Sequence, residues 1–135
     1  MKKILVFLFA VLILVSCQSK PVTGETVSAA GGSYQNVTPT ELRTMLESKD
    51  FVLVNVHLPF AGNIPGTDVS IPYNEIEPNL SQLPADKTAK IVLYCSSGRM
   101  SEIAAEELVS LGYTNVWNLK GGMVDWQQTG FELEK

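Results

Sequence analysis

Basic residues are scarce in this 135-residue sequence: ten Lys and Arg stand against 14 Asp and Glu, a formal net charge of −4. No Lys/Arg cluster occurs beyond the extreme N-terminus. That excludes the basic stripe by which a protein holds nucleic acid. No apolar run is long enough to cross a bilayer comfortably, which takes about 20 residues; the longest, Ile4 to Val15, has twelve. No internal repeat is visible. There are two cysteines, Cys17 and Cys95, and one histidine, His57. The length leaves room for one domain and little else.

What is present begins with a leader. Lys2 and Lys3 precede the apolar run, giving a short positive region and then a secretory-type core. The run stops at Leu14-Val15-Ser16-Cys17, with no A-x-A-like site and a polar stretch beyond it. This resembles the lipobox of bacterial lipoproteins, in which the Cys thiol is acylated and becomes the first residue of the mature protein. The resemblance implies a cleaved signal peptide over residues 1–16 and lipidation at Cys17. It also implies an exported domain anchored to a bacterial membrane, in the periplasm or at the outer cell surface. Without Lys2 and Lys3, eight Lys and Arg face 14 Asp and Glu, a charge near −6. Attachment would then rest on acyl chains rather than on attraction to anionic lipid. Cys95 would have no partner within the chain. An unpaired thiol in a compartment that favours disulfides points to a function for it.

Residues 18–34, QSKPVTGETVSAAGGSY, are small and polar and are predicted to form a flexible tether. With Cys17 they make a segment 17–34, leaving a domain over 35–135. Tyr34 to Val37 reads as a short strand. Thr38-Pro39-Thr40-Glu41 reads as a helix start, with Thr38 as cap, Pro39 in the first helical position and Glu41 closing a capping box. Leu42, Met45 and Leu46 give that helix an apolar face. The apolar runs Phe51 to Val56 and Lys90 to Tyr94 suit strands covered on both faces. Val69 to Ile71 is a shorter strand, followed by a helical piece near Tyr73 to Ile76. Arg99 to Leu111 suits a helix with Ile103, Ala104, Leu108 and Leu111 on one side and Gly112 at its C-cap. Val116 to Leu119 is a last strand, and Gly121-Gly122 leads into a short helix containing Trp126. Trp117 and Trp126 read as packing residues. Strands alternating with helices predict an α/β fold with a mostly parallel sheet and helices on both faces. Such sheets bind ligands at the carboxyl ends of their strands, and Cys95 sits at one of those ends.

The chemistry is concentrated in Cys95-Ser96-Ser97-Gly98-Arg99-Met100-Ser101, between a buried strand and a helix N-terminus. Free backbone N–H groups and the helix dipole favour negative charge there, so the position favours a reactive thiolate. Gly98 supplies the positive φ of a tight loop. Arg99 is a permanent cation suited to an oxyanion, and Ser96, Ser97 and Ser101 offer hydroxyl donors. The segment suits an anionic sulfur species. A buried structural cysteine is the plainer reading of a lone Cys, but strand–Cys–Ser/Gly loop–helix is a more specific combination. Glu102, Glu106 and Glu107 read as a solvated helix face.

C-S-S-G-R-M-S resembles the active-site loop of rhodanese domains, which read C-x-x-G-x-R-S or C-x-x-G-R-x-S. Ile64-Pro65-Gly66-Thr67 is similar to that family's H-I-P-G-A segment. Leu53-Val54-Asn55-Val56-His57 is similar to its L-I-D-V-R strand, and Leu119 to Trp126 to its L-x-G-G-x-x-x-W segment. The four motifs occur in the family's order and cover about residues 35–131. The resemblance is to single-domain, thiosulfate sulfurtransferase-like rhodaneses, the small periplasmic phage-shock type among them. It implies a central five-stranded, mostly parallel sheet. It implies that Cys95 takes the outer sulfur of a small anionic donor such as thiosulfate, holds it as a persulfide and passes it to a thiol, or to cyanide. Ser96, Ser97, Gly98, Arg99, Met100 and Ser101 would bind the substrate, largely through backbone N–H groups. Two-step covalent transfer implies ping-pong kinetics. No metal or organic cofactor is implied, and a monomer is expected.

The sequence departs from the pattern at Asn55, His57 and Asn63, where the family has Asp, Arg and His. A charge network near the loop must therefore be rebuilt or absent, and the pocket wall opposite Cys95 is expected to differ. His57 reads as a loop-stabilising or surface residue; a general base for Cys95 is the sharper alternative. Two other functions compete with sulfur transfer. Phosphatase loops of the related fold are C-x5-R, but here Ser101 occupies the sixth position and the cation is Arg99, so a phosphate lacks its bidentate partner. A membrane-tethered sulfur carrier, or docking module for another exported protein with little turnover of its own, is the second alternative.

Overall fold

The structure, a computed structural model, describes Ser16 and residues 20–135. Residues 1–15 and 17–19, which hold most of the expected leader and the expected lipidation site, lie outside the described residues.

The first helix, α1 (Pro39–Glu47), begins as its sequence dictates. Thr38 Oγ1 accepts from the Glu41 N–H at 3.2 Å, and the Glu41 carboxylate accepts from the Thr38 N–H at 2.8 Å. This reciprocal cap satisfies two donors that a helix start leaves open. The strands are β1 (Glu25–Ala29), β2 (Gly32–Val37), β3 (Val52–Asn55), β4 (Val69–Ser70), β5 (Ile91–Tyr94) and β6 (Val116–Leu119). Two further helices, α2 (Arg99–Ser110) and α3 (Gly122–Gln128), and a 3₁₀ segment over Glu77–Gln82 complete the elements of the described residues.

The strands form one sheet in the order β1-β2-β6-β5-β3-β4. β1 and β2 are an antiparallel hairpin; every other pairing is parallel. Alternation along β5 divides the core. Ile91, Leu93 and then Cys95 face a cluster completed by Ala104, Ala105, Leu108 and Val109 of α2. Val92 and Tyr94 face the opposite cluster, with Leu42 of α1 and Met123 and Trp126 of α3. Both faces are thus covered, as continuous apolar strands require. The predicted α/β fold with helices on both faces is what is found.

The details differ in three places. The sheet has six strands, not five, because residues 25–34 are not tether. Val27 pairs with Tyr34 across the hairpin, and both lie against the α2-side core. Ala30-Gly31 makes the two-residue connection, with Gly31 at φ 88°. Val22 packs on the opposite core. Among the described residues every strand and helix, and both cores, fall between Val22 and Leu133. The helical piece expected at Tyr73 to Ile76 begins instead at Glu77, where Pro78 suits a first turn; Glu75 N–H closes a turn on Pro72 O before it. On α2 the buried stripe is Ser101, Ala104, Ala105, Leu108 and Val109, and Ile103 is 41% exposed rather than in the core.

Candidate active site

β5 is buried along its whole length and ends at the carboxyl edge of the sheet. Its last residue, Tyr94, turns toward α1 and α3, which sends Cys95 to the α2 side. Cys95 is 1% exposed. Gly98, at φ 104°, turns the chain into α2. Its N–H donates to Cys95 Sγ at 3.0 Å. Ser101 Oγ lies 3.5 Å from Sγ and 3.0 Å from the Gly98 carbonyl oxygen. The sulfur therefore meets a backbone donor and a hydroxyl at the positive end of α2, a setting that stabilises charge on sulfur.

α3 fixes the other side of this loop. Met123 N–H donates to Cys95 O and Val124 N–H to Ser96 O, both at 2.9 Å. Both carbonyls are thereby tied to the first turn of α3. The approach is so close that a Cβ on Gly122 would sit 2.3 Å from Cys95 O and 2.6 Å from Ser96 O. Gly122 also has φ 57°, a left-handed conformation that glycine adopts without strain. The Gly121-Gly122 pair was legible as a motif; its contact with the reactive loop was not.

Above the sulfur lies a pocket of about 250 Å³ lined by His57, Tyr73, Cys95, Ser96, Ser97, Arg99, Met100 and Ile103. Five of the seven loop residues singled out in the sequence thus face it. Gly98 contributes its N–H from below. Ser101 is fully buried beneath the sulfur, so it braces Cys95 rather than lining the cavity. Tyr73 and Ile103 are wall residues that the sequence did not reveal as such. Among the described residues no group of three or more His, Cys, Asp or Glu converges to hold a metal ion.

The departures at Asn55, His57 and Asn63 are rebuilt as a neutral network. Asn55 Nδ2 donates to Gly62 O at 2.9 Å and Asn63 Oδ1 at 3.0 Å, and Asn55 Oδ1 accepts from the His57 N–H at 3.0 Å. Tyr94 Oη accepts from the Ile64 N–H at 3.0 Å and lies 2.8 Å from Thr67 Oγ1. Burial pushes the Tyr94 phenol above its ordinary range, opposed by the hydrogen bonds from Thr67 and Ile64. Asn63 bonds the backbone of Glu134 in both directions at 2.7 Å. It thus faces the chain end, and His57 and Tyr73 form the wall opposite the loop. His57 Nδ1 is buried with no partner.

The Rhodanese-like domain family matches residues 38–129 of the chain. A protein named Sulfurtransferase from Allochromatium vinosum is 32% identical over 92 residues, covering 66% of this chain and 83% of that protein. The Thiosulfate sulfurtransferase PspE of Escherichia coli is 37% identical over 57 residues, 42% of this chain and 54% of that one. An uncharacterized Synechocystis protein, slr1261, is 33% identical over 110 residues; the match covers 78% of this chain and 60% of that protein's length. Among solved structures, a rhodanese-like domain protein from Staphylococcus aureus superposes with a TM-score of 0.61 at 30% identity, over 74% of this chain and 98% of that one.

Proposed function

Because this chain belongs to the rhodanese-like domain family, a family with sulfurtransferase relatives, we propose that it moves sulfane sulfur from thiosulfate or a related anionic donor, through a persulfide on Cys95, to a thiol or cyanide acceptor. The observation that carries this reading is the Gly98 N–H donating to Cys95 Sγ at the floor of a pocket that also holds Arg99.

In the first half-reaction the Cys95 thiolate attacks the outer sulfur of the donor. The donor's S–S bond breaks and sulfite leaves with the electron pair. The new terminal sulfur carries the negative charge, which the α2 N-terminus and the Gly98 N–H offset. Arg99 attracts the dianionic donor. In the second half-reaction an acceptor nucleophile attacks that terminal sulfur and returns the Cys95 thiolate. Steady-state rates with thiosulfate and cyanide should give parallel double-reciprocal lines, and Cys95→Ser should abolish turnover. Intersecting lines would refute the covalent intermediate.

The reading extends to location. The Leu14 to Cys17 pattern supports lipidation at Cys17 and attachment to a bacterial membrane after export. Cys17→Ser in the full chain should release the protein in soluble form; unchanged membrane attachment rejects the anchor.

A further inference from the structure

His57, the one histidine of the chain, stands two positions beyond the end of β3. The backbone that carries it is fixed on every side. Its own N–H donates to Asn55 Oδ1 at 3.0 Å. The N–H of Val56 donates to Tyr94 O at 2.9 Å, and Val56 O accepts from the Tyr73 N–H at 3.0 Å. Asn55 is buried and is itself tied down, through Nδ2, to Gly62 O and Asn63 Oδ1. The imidazole is thereby carried onto the wall of the Cys95 pocket, opposite the loop that bears Arg99. Arg99 takes part in none of the ion pairs among the described residues.

The two ring nitrogens of His57 differ. Nδ1 is buried with no partner. A neutral imidazole carries its proton on one nitrogen and a lone pair on the other. A buried N–H without an acceptor is rarer in folded proteins than an unfilled acceptor. The proton therefore belongs on Nε2, the nitrogen left open to the pocket. In that form His57 is a hydrogen-bond donor toward the pocket and not a base for Cys95.

We propose that His57 determines donor specificity: its Nε2–H donates to an oxygen of the donor's sulfonate group, from the wall opposite Arg99. The inference rests on the Cys95 persulfide reading and deepens it. In the loading step Cys95 Sγ bonds to the donor's outer sulfur, and the donor's S–S bond breaks with its electron pair passing to sulfite. Negative charge on the oxygens rises as that bond breaks. An N–H aimed at them thus stabilises the transition state more than the bound donor. His57 keeps its proton, and sulfite leaves as the dianion. An alkyl persulfide gives up its outer sulfur with a thiolate as leaving group, so it offers His57 no oxygen.

The test compares the two donors on the full chain in detergent. Loading is the rate of sulfur gain on Cys95, read by intact mass, from thiosulfate and from the persulfide of ethanethiol. His57→Phe should slow loading from thiosulfate at least about 10-fold more than loading from the persulfide, since a hydrogen bond to a charged group is lost. His57→Gln, which keeps a side-chain N–H, should recover most of that difference. Equal slowing with both donors would overturn the proposal, because His57 would then only shape the pocket. So would thiosulfate loading that His57→Phe leaves unchanged, or a His57→Gln protein as selective against thiosulfate as His57→Phe. Calorimetric binding of thiosulfate to Cys95→Ser protein, with and without His57→Phe, reads the contact apart from sulfur transfer. If His57→Phe weakens that binding but the wild type gains no sulfur, the sulfurtransferase reading fails alone. If the wild type loads sulfur and His57→Phe loads it equally well, the role of His57 fails alone.

Discussion

Gly122 is the residue on which the reactive loop's position turns. Its place against Cys95 O leaves no room for a methyl group. Gly122→Ala must move α3 or the loop, a distortion that costs about 1–3 kcal/mol. Because small misplacements of reacting groups are costly in rate, sulfur loading should fall at least about 10-fold while the protein still unfolds cooperatively in urea. Loading at the native rate would show that α3 does not position the loop. Arg99 acts through charge instead. Arg99→Ala should weaken the use of thiosulfate more than the reaction of Cys95 with neutral iodoacetamide; equal losses would mean that Arg99 shapes the loop. Cys95, Gly98 and Arg99 were legible because strand, turn glycine and helix start are each local patterns. Ser101's place beneath the sulfur, and the contact between Gly122 and Cys95, arise from tertiary packing and leave no local signal.

The elements tell the same story by degrees. β5 and β6 are legible from apolar runs of strand length, and α1 from its capping box, because those signals come from neighbouring residues. β1 is hidden in the sequence because GETVSAAGG has a tether's composition. Its clue was the spacing of Val27 and Ala29 before a two-residue Ala30-Gly31 connection. On α2 the turn of the stripe to Ala104, Ala105, Leu108 and Val109 depends on where the sheet lies, which the spacing of Ile103, Ala104, Leu108 and Leu111 alone does not reveal. The hairpin gives a test. A domain cut to residues 32–135 loses β1 and the packing of Val22, Val27 and Ala29. Three partly buried apolar side chains contribute about 2–3 kcal/mol together. The shorter domain should therefore melt on the order of 10 °C below residues 20–135 in a thermal scan. Equal melting temperatures would mean that the hairpin is not part of the folding unit.

At the scale of the molecule, the sheet gathers its chemistry at one edge. β3 and β5 end side by side, so His57 and Cys95 meet in one pocket, although 38 positions separate them in the sequence. The neutral Asn55–Asn63 and Tyr94–Thr67 contacts behind that edge replace a charge network with groups that do not ionise near neutral pH. Tyr94 titrates above its ordinary value of 10.0, mainly because it is buried. The folded state thus holds this proton more tightly than the unfolded chain. The resulting stability is fully present below about pH 10 and is lost as pH rises through the folded value. Tyr94→Phe should flatten part of that alkaline loss, read from urea midpoints against pH. The sulfur itself gives the most direct test of the whole account. Residues 20–135 should be incubated with thiosulfate and weighed intact, beside Cys95→Ser. A gain of one sulfur atom on the wild type alone, removed by cyanide or a thiol, is the predicted result. A folded protein with a free Cys95 thiol that gains no sulfur would contradict it.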